Sequence, residues 1–499
     1  MQELDVVVIG AGLGGLCAAI ALRTAGIGNI AVLERACEVG GTWRDNTYPG
    51  CACDVPSHLY SLSFAPKRDW SQSYPSQPEI QAYILSVVEK YKLRDVIRLN
   101  ANVTGLRWQA EAGGRCGRWC VDVDGVPAFL ARYVVGALGP LNKVSIPDID
   151  GRAQFAGAQF HSSQWQHGVD LKGKCVAVIG TGASAVQIVP KLADLLLRTG
   201  GHLSVFQRTP VWIVPRNNAP YGALRRWVYR FVPGLQKANR WRIYWFNEFI
   251  TQSFLGNQWV RHLVRGLGIK HLHRQVKDAK LRAQLTPQYE PGCKRLGLSD
   301  DFYPALQMPH VALVTQGIAR IEPDAIVTQD GVHHPVDAIV WATGFKVSEF
   351  IESRMRIVGE DGQDLAHMWG QQPAAAHLGI TVAGFPNLFL VVGPGTGLGS
   401  NSIIFMIESQ VRYIVQAIQF ARSQNNSCLR TRYDRQTDFY TQLQSMVGRT
   451  VWASGCSSWY QTTATLGNGS APPRIDTLWP SYTTAYWWKT LRFDPAVFE

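Results

Sequence analysis

LDVVVIGAGLGGLCAAIALRTA, Leu4 to Ala25, decides the fold. An apolar run, Leu4 to Ile9, enters the turn Gly10-x-Gly12-x-x-Gly15, and the Ala/Leu-rich stretch Leu16 to Ala25 follows. That order predicts strand, tight turn and helix. Glycines at such a turn let the backbone approach a pyrophosphate, whose charge sits at the positive end of the helix. A second strand, Ile30 to Leu33, ends in Glu34, 19 residues beyond Gly15. A carboxylate at that place accepts hydrogen bonds from ribose hydroxyls, so the half-site suits an adenosine diphosphate without a 2′-phosphate.

The pattern recurs. A strand from Cys175 to Ile179 leads into Gly180-Thr181-Gly182-x-x-Ala185 and a helix running to about Leu197. The next strand, Leu203 to Phe206, ends in Gln207, Arg208 and Thr209 rather than in an acid. A guanidinium there favours a 2′-phosphate. The two turns together imply FAD in the first site and NADPH in the second. The fold class expected is α/β, with two Rossmann-like dinucleotide-binding domains.

Between the turns lies FAGAQFHSSQW, in which Phe155, Gly157, His161 and Trp165 fit the pattern FxGxxxHxxxW. The string GxWxxxxYPGxxxD is complete as Gly41, Trp43, Tyr48, Pro49, Gly50 and Asp54. QRTP (Gln207 to Pro210), CKR (Cys293 to Arg295), WATGF (Trp341 to Phe345), GPGTGLGSNS (Gly393 to Ser402) and CSSWY (Cys456 to Tyr460) extend the set across nearly the whole chain. On these motifs the sequence resembles the type I Baeyer–Villiger monooxygenases of the flavin-containing monooxygenase superfamily. It departs from their pattern at Gln166, where Pro or Asp is usual, and at Gly395 and Ser400, where Asn and His are common.

The resemblance implies an NADPH- and O2-dependent flavoprotein that inserts oxygen beside a ketone carbonyl, giving an ester or lactone through a C4a-peroxyflavin. It places Arg295 as the cation that keeps the peroxide anionic, with Asp54 beside it as orienting carboxylate. Lys294 would join Arg208 and Thr209 at the 2′-phosphate. Thr42, Trp43, Tyr60 and Val103 occupy flavin-contact positions, and Trp459 an NADP or substrate contact. The start of a helix from Ser402 to about Phe420 would face the pyrimidine edge of the flavin. His161 and Trp165 read as an interdomain hinge rather than as direct catalysts. The rival activity is oxidation of nitrogen or sulfur, but relatives of that kind usually carry Phe or Tyr in place of Trp165. A thiol-based reductase is disfavoured because Trp43 and Tyr48 stand where its redox cysteines belong. A flavin-binding regulator without turnover is disfavoured by Arg295 and two intact glycine turns.

The resemblance also implies that the NADPH domain is inserted in the FAD domain, and with the motifs as landmarks this gives a FAD domain at 1–145 and 345–499, a turn-rich connector at 146–168, an NADPH domain at 169–212 and 285–344, and a helical insertion at 213–284. The 499 residues, 46% apolar, suffice for a large core. The first residues form a strand and a turn rather than a charged leader, and no apolar run nears the roughly 20 residues of a bilayer span. A cytoplasmic protein is the expectation. Ten cysteines without paired CxxC spacing read as reduced packing residues, and no metal site is expected. The formal charge of +12 is read as steering of polyanionic cofactors rather than nucleic-acid binding, since no recognition motif accompanies it. The insertion carries Trp227, Tyr229, Phe231, Trp241, Tyr244, Trp245, Phe246, Phe249 and Phe254 between arginines. Packing of these aromatics onto the NADPH fold is the favoured expectation, with a channel cover or a peripheral membrane contact as the alternative.

Overall fold

The computed structural model describes residues 1–111, 116–347, 349, 355–425, 427–455, 460 and 474–499. The opening strand, Gln2–Ile9, lies at the centre of an eight-stranded sheet. It pairs in parallel with Ile30–Leu33 on one side and with Val126–Gly136 on the other. Both faces of this strand are covered, which is why its sequence is a continuous apolar run. Val6 and Val8 pack with Leu16, Ala19 and Ile20 of the helix Leu13–Thr24. Val7 and Ile9 point the opposite way, into a cluster with Leu106, Trp119 and Val121 from the antiparallel strands Val103–Gln109 and Arg118–Val123. The short strand Leu388–Leu390 also joins this sheet, parallel to the end of Val126–Gly136, so the chain returns to its first layer after a long excursion.

That excursion builds a second sheet of five parallel strands, in the order Val311–Val314, His202–Phe206, Cys175–Ile179, Ala338–Trp341 and Ala158–His161. The helix Ala183–Thr199 packs its buried Ala185, Ile188, Val189 and Leu192 face against it. A small antiparallel sheet covers the other side, through Ile321 and Ile326 against Ile179, Phe206 and Trp341.

Three expectations change. The stretch 146–168 is not merely a connector: Ala158–His161 is the edge strand of the second sheet, in register with Ala338–Trp341. Its sequence, AQFH, is only four residues long and has no β-branched residue, so its brief alternation does not stand out as a strand. The insertion is helical, as Ala223–Phe231, Leu235–Thr251, Gln258–Gln275 and Ala279–Gln284, but most of its aromatics are not core. Tyr229, Tyr244 and Phe254 are buried, whereas Trp227, Phe231, Trp241, Trp245, Phe246 and Phe249 face outward. Trp241, Trp245 and Phe249 form an i, i+4 row beside the row of Tyr244, Glu248 and Thr251, and it is the second row that turns inward. Buried Glu248 fixes which face turns inward, accepting hydrogen bonds from Asn401 Nδ2, Thr483 N, Thr483 Oγ1 and Thr484 Oγ1. Finally, not all cysteines are reduced. Cys116 and Cys428 form a disulfide across 312 residues of sequence, and Cys293 is disulfide-bonded as well. Pairing over such a separation leaves no trace in local spacing.

Candidate functional site

A cavity of about 1160 Å³ lies where the carboxyl ends of the parallel strands of the two sheets approach each other. It exceeds the roughly 300–1,000 Å³ of ordinary small-molecule pockets. Its walls include Gly10, Gly12, Glu34, Thr42, Trp43, Asp54, Tyr60 and Val103 from the first layer. Gly180, Thr181, Gly182, Arg208, Thr209, Lys294 and Arg295 come from the second. Gly15 and Ala185 do not line it, because both are buried inside their helices against the sheet. Trp459 lies outside the described residues.

Both glycine turns have the form a pyrophosphate needs. Gly10 has φ +98°, and a Cβ there would stand 2.6 Å from the Ala137 carbonyl oxygen. A Cβ on Gly15 would overlap the carbonyl oxygen of Gly10, so only glycine lets this helix sit so close to its strand. Neither helix has a side-chain cap or an acid in its first turn. Their first amides therefore remain unspent for an anion. Glu34 is fixed beside the first turn by donors from Ala11 N at 2.8 Å, Ala36 N at 3.0 Å and Arg44 Nη1 at 2.9 Å. These use part of its acceptor capacity and leave room for ribose hydroxyls.

At the second turn, Arg208 is exposed on the cavity rim and Lys294 Nζ lies 5.1 Å from the centre of the Tyr289 ring. Burial, together with repulsion from Arg208, lowers the Lys294 pKa. A phosphate between the two cations would relieve that repulsion. The donor set therefore fits a 2′-phosphorylated nucleotide here and an unphosphorylated one at Glu34.

Between the two cradles, Arg295 meets Asp54. Nε and Nη2 of Arg295 each lie 2.7 Å from Asp54 Oδ2. The carboxylate raises the arginine's pKa above its already high ordinary value, outweighing the opposing cost of burial. About 36% of the Arg295 side chain remains open toward the cavity. Trp43 and Tyr60, joined by a 2.8 Å Nε1–H to hydroxyl bond, wall the same region. The helix Ile403–Ser423 also starts here without a side-chain cap, and Ile403 and Asn401 line the cavity.

The FxGxxxHxxxW residues stand behind this cavity rather than in it. Phe155 fills the core of the second sheet, and a Cβ on Gly157 would overlap the carbonyl oxygen of Asp337. His161 is buried, its Nδ1 accepting from Ser163 N at 3.2 Å, its ring edge-on to Phe345. Burial brings its pKa down to about 4, opposed in part by the backbone of Gly344, so the ring is neutral near pH 7. Trp165 packs edge-on to Phe160. Gln166 is exposed and contributes its carbonyl to a turn with Val169 N. Gly395 adopts φ +73°, a conformation that asparagine also tolerates, and Ser400 Oγ reaches the Asn247 carbonyl at 3.4 Å.

Two groups escape sequence reading. Gln187, on the helix after the second turn, accepts from Tyr48 OH at 3.0 Å and Ala52 N at 3.2 Å, and donates to Ala52 O at 3.0 Å. A Cβ on Gly50 would come 2.6 Å from the Gln187 carbonyl oxygen. The second nucleotide helix thus grips the loop that carries Asp54. Tyr460 is fully buried near Arg295; burial raises its pKa to about 12 against the opposing charge of that guanidinium. Only its place in CSSWY signalled it.

Residues 8–74 match a family described as an NAD(P)-binding Rossmann-like domain. Over 504 aligned positions, 100% of this chain and 93% of the relative, the sequence is 40% identical to a Baeyer-Villiger monooxygenase of Streptomyces coelicolor. It is 39% identical to a Baeyer-Villiger monooxygenase of Pseudomonas aeruginosa, over 100% of this chain and 92% of that one. Among solved structures, the closed form of cyclohexanone monooxygenase superposes with a TM-score of 0.85 at 26% identity, covering 98% of this chain and 97% of the other. Oxidized steroid monooxygenase bound to NADP gives 0.82 at 28% identity, with the same coverage of both chains. OTEMO in complex with FAD and NADP gives 0.84 at 27%, again with that coverage.

Proposed function

The chain belongs to the Baeyer–Villiger monooxygenases, and from that premise we propose that it converts a ketone, O2, NADPH and a proton into an ester or lactone, water and NADP⁺. It is an FAD-dependent NADPH monooxygenase. The flavin, when bound, takes hydride from NADPH and activates dioxygen for insertion beside the carbonyl. One observation carries the assignment of residues: a guanidinium locked onto a carboxylate, Arg295 on Asp54, at the meeting point of two phosphate cradles.

Arg295 supplies a cation that no working pH removes, and its exposed part faces the space where negative charge develops. Asp54 sets the plane of the guanidinium by taking both Nε–H and Nη2–H on one oxygen. Buried Tyr460 lies within electrostatic reach of the same guanidinium. Through Gln187 and the Tyr48–Ala52 loop, the position of Asp54 depends on the second nucleotide helix, so seating NADPH and orienting the cation are linked mechanically. Lys294, Arg208 and Thr209 select the 2′-phosphate, while Glu34 takes the adenosine ribose of FAD. His161 packs edge-on to Phe345 behind the site and Trp165 edge-on to Phe160, which supports a structural hinge rather than a catalytic role. Reaction in the cytoplasm is part of the same proposal; among the described residues no helix is long and apolar enough to cross a membrane.

The test uses the flavin-loaded enzyme, NADPH and ¹⁸O2 with a ketone panel and a thioether panel in competition. Esters or lactones carrying one labelled oxygen between carbonyl and migrating carbon are expected. Labelled sulfoxides alone, with every ketone untouched, would contradict the proposal.

A further inference from the structure

Helices Ala223–Phe231, Leu235–Thr251 and Gln258–Gln275 present an outer face unlike the rest of the surface. Trp227, Phe231, Trp241, Trp245, Phe246 and Trp259 are each 46–67% exposed. Aliphatic Leu224, Val232, Leu235, Leu263 and Leu267 stand among them. On the first helix Trp227 meets Phe231 at 5.5 Å, and a ring contact joins the second helix to the third, Phe249 meeting Trp259 at 6.4 Å. Burying these side chains inward is not open to the fold, because the inward side of the second helix is already fixed by Tyr244 and Glu248 on Thr483. An exposed apolar patch of this kind marks an interaction site.

The charge around it is one-sided. From Gly222 to Gln275 there are 10 lysines and arginines and one acid, Glu248, which is buried. Arg226, Lys237, Arg242 and Lys270 make no ion pair among the described residues. The neighbouring loop adds exposed Phe64 and Arg68, the latter bonded to the Arg230 carbonyl, and its acid, Asp69, is paired with Lys67. Indoles and leucines interleaved with unpaired cations on amphipathic helices match the boundary of an anionic bilayer. A second copy docked face to face would set this positive field against itself. Nucleic acid would meet the cations but leave the leucines and valine without apolar contact.

We propose that this face docks the enzyme peripherally on anionic phospholipid bilayers, the aromatic and aliphatic side chains entering the headgroup boundary and the cations meeting lipid phosphates. The docking concerns surface residues remote from both nucleotide cradles and does not depend on which substrate the enzyme oxidises.

Co-sedimentation of the full-length, flavin-loaded enzyme with two kinds of vesicle tests this: pure phosphatidylcholine, and an equal mixture of phosphatidylcholine and phosphatidylglycerol. Binding to the mixed vesicles is expected, at least about tenfold stronger than to the neutral ones and weakened by salt. The triple variant Trp227→Ser, Trp245→Ser, Trp259→Ser should lose this binding while keeping its flavin and its NADPH oxidation rate. Arg226→Gln with Lys237→Gln should reduce it roughly fivefold per charge. Failure to pellet with either vesicle, equal pelleting with both, or undiminished binding of the triple variant would overturn the proposal. So would lipid-free self-association that the triple variant abolishes, or binding of a polynucleotide that displaces the enzyme from vesicles and survives the Trp substitutions.

Discussion

Arg295 and Asp54 are 241 positions apart in the chain, yet they meet at 2.7 Å. No spacing rule links them; the motifs CKR and GxWxxxxYPGxxxD pointed to each separately, and only the fold brings them together. Gln187 was silent because its role is to bond the backbone of a distant loop, a task that many residues in a helix could perform. The cations at the second cradle are more predictable, since an arginine in place of an acid after the second strand has one simple explanation. On this account Lys294→Ala raises the KM for NADPH by about tenfold or more and that for NADH little, one charge-assisted contact being worth roughly 1.5–3 kcal/mol. Steady-state kinetics with both coenzymes checks this. An equal loss with NADH would move Lys294 away from the 2′-phosphate.

Among elements, those with both faces covered were legible and those at an edge were not. Cys175–Ile179 and Ala338–Trp341 are continuous apolar runs and stood out with their bounds intact. Ala158–His161, paired on one side only, was hidden in a stretch read as turns. The helix Leu13–Thr24 starts inside the glycine turn, earlier than its apolar residues suggest, because Gly12 serves as its cap. Its third glycine is the most demanding, since any Cβ collides with the backbone of Gly10. Gly15→Ala should therefore yield protein that retains little FAD after desalting. Gly182→Ala, at a place where a Cβ meets nothing within 4 Å, should keep its FAD and lose affinity for NADPH alone. Flavin absorbance and NADPH titration separate the two, and FAD loss in the second variant would show that the cradles are not independent. The insertion helices were recognised as helical and aromatic, but which face points outward depends on Glu248 meeting Thr483, a contact that sequence does not reveal.

For the whole molecule, three histidines set an acid limit, His58 and His161 buried and His377 half-buried. His58, His161 and His377 are each brought down to about 4 by burial, from roughly 6.5 in an unfolded chain. Below pH 6.5 the unfolded chain takes up protons that the folded one refuses. Stability is therefore full above pH 6.5 and falls steadily as the pH drops toward 4. Thermal unfolding across that range should show a falling midpoint, and a flat profile would mean that these rings are not buried as described. The two nucleotide layers were legible as separate units, but their convergence on one cavity is a property of the folded chain. On the proposed assignment Arg295 serves oxygen insertion and not flavin reduction, so the two half-reactions should respond differently to its loss. The direct measurement is flavin bleaching by NADPH without oxygen, beside ester formation in air, for the parent enzyme and Arg295→Ala. The account predicts that bleaching persists in the variant while ester formation disappears; an unaltered ester yield would contradict it.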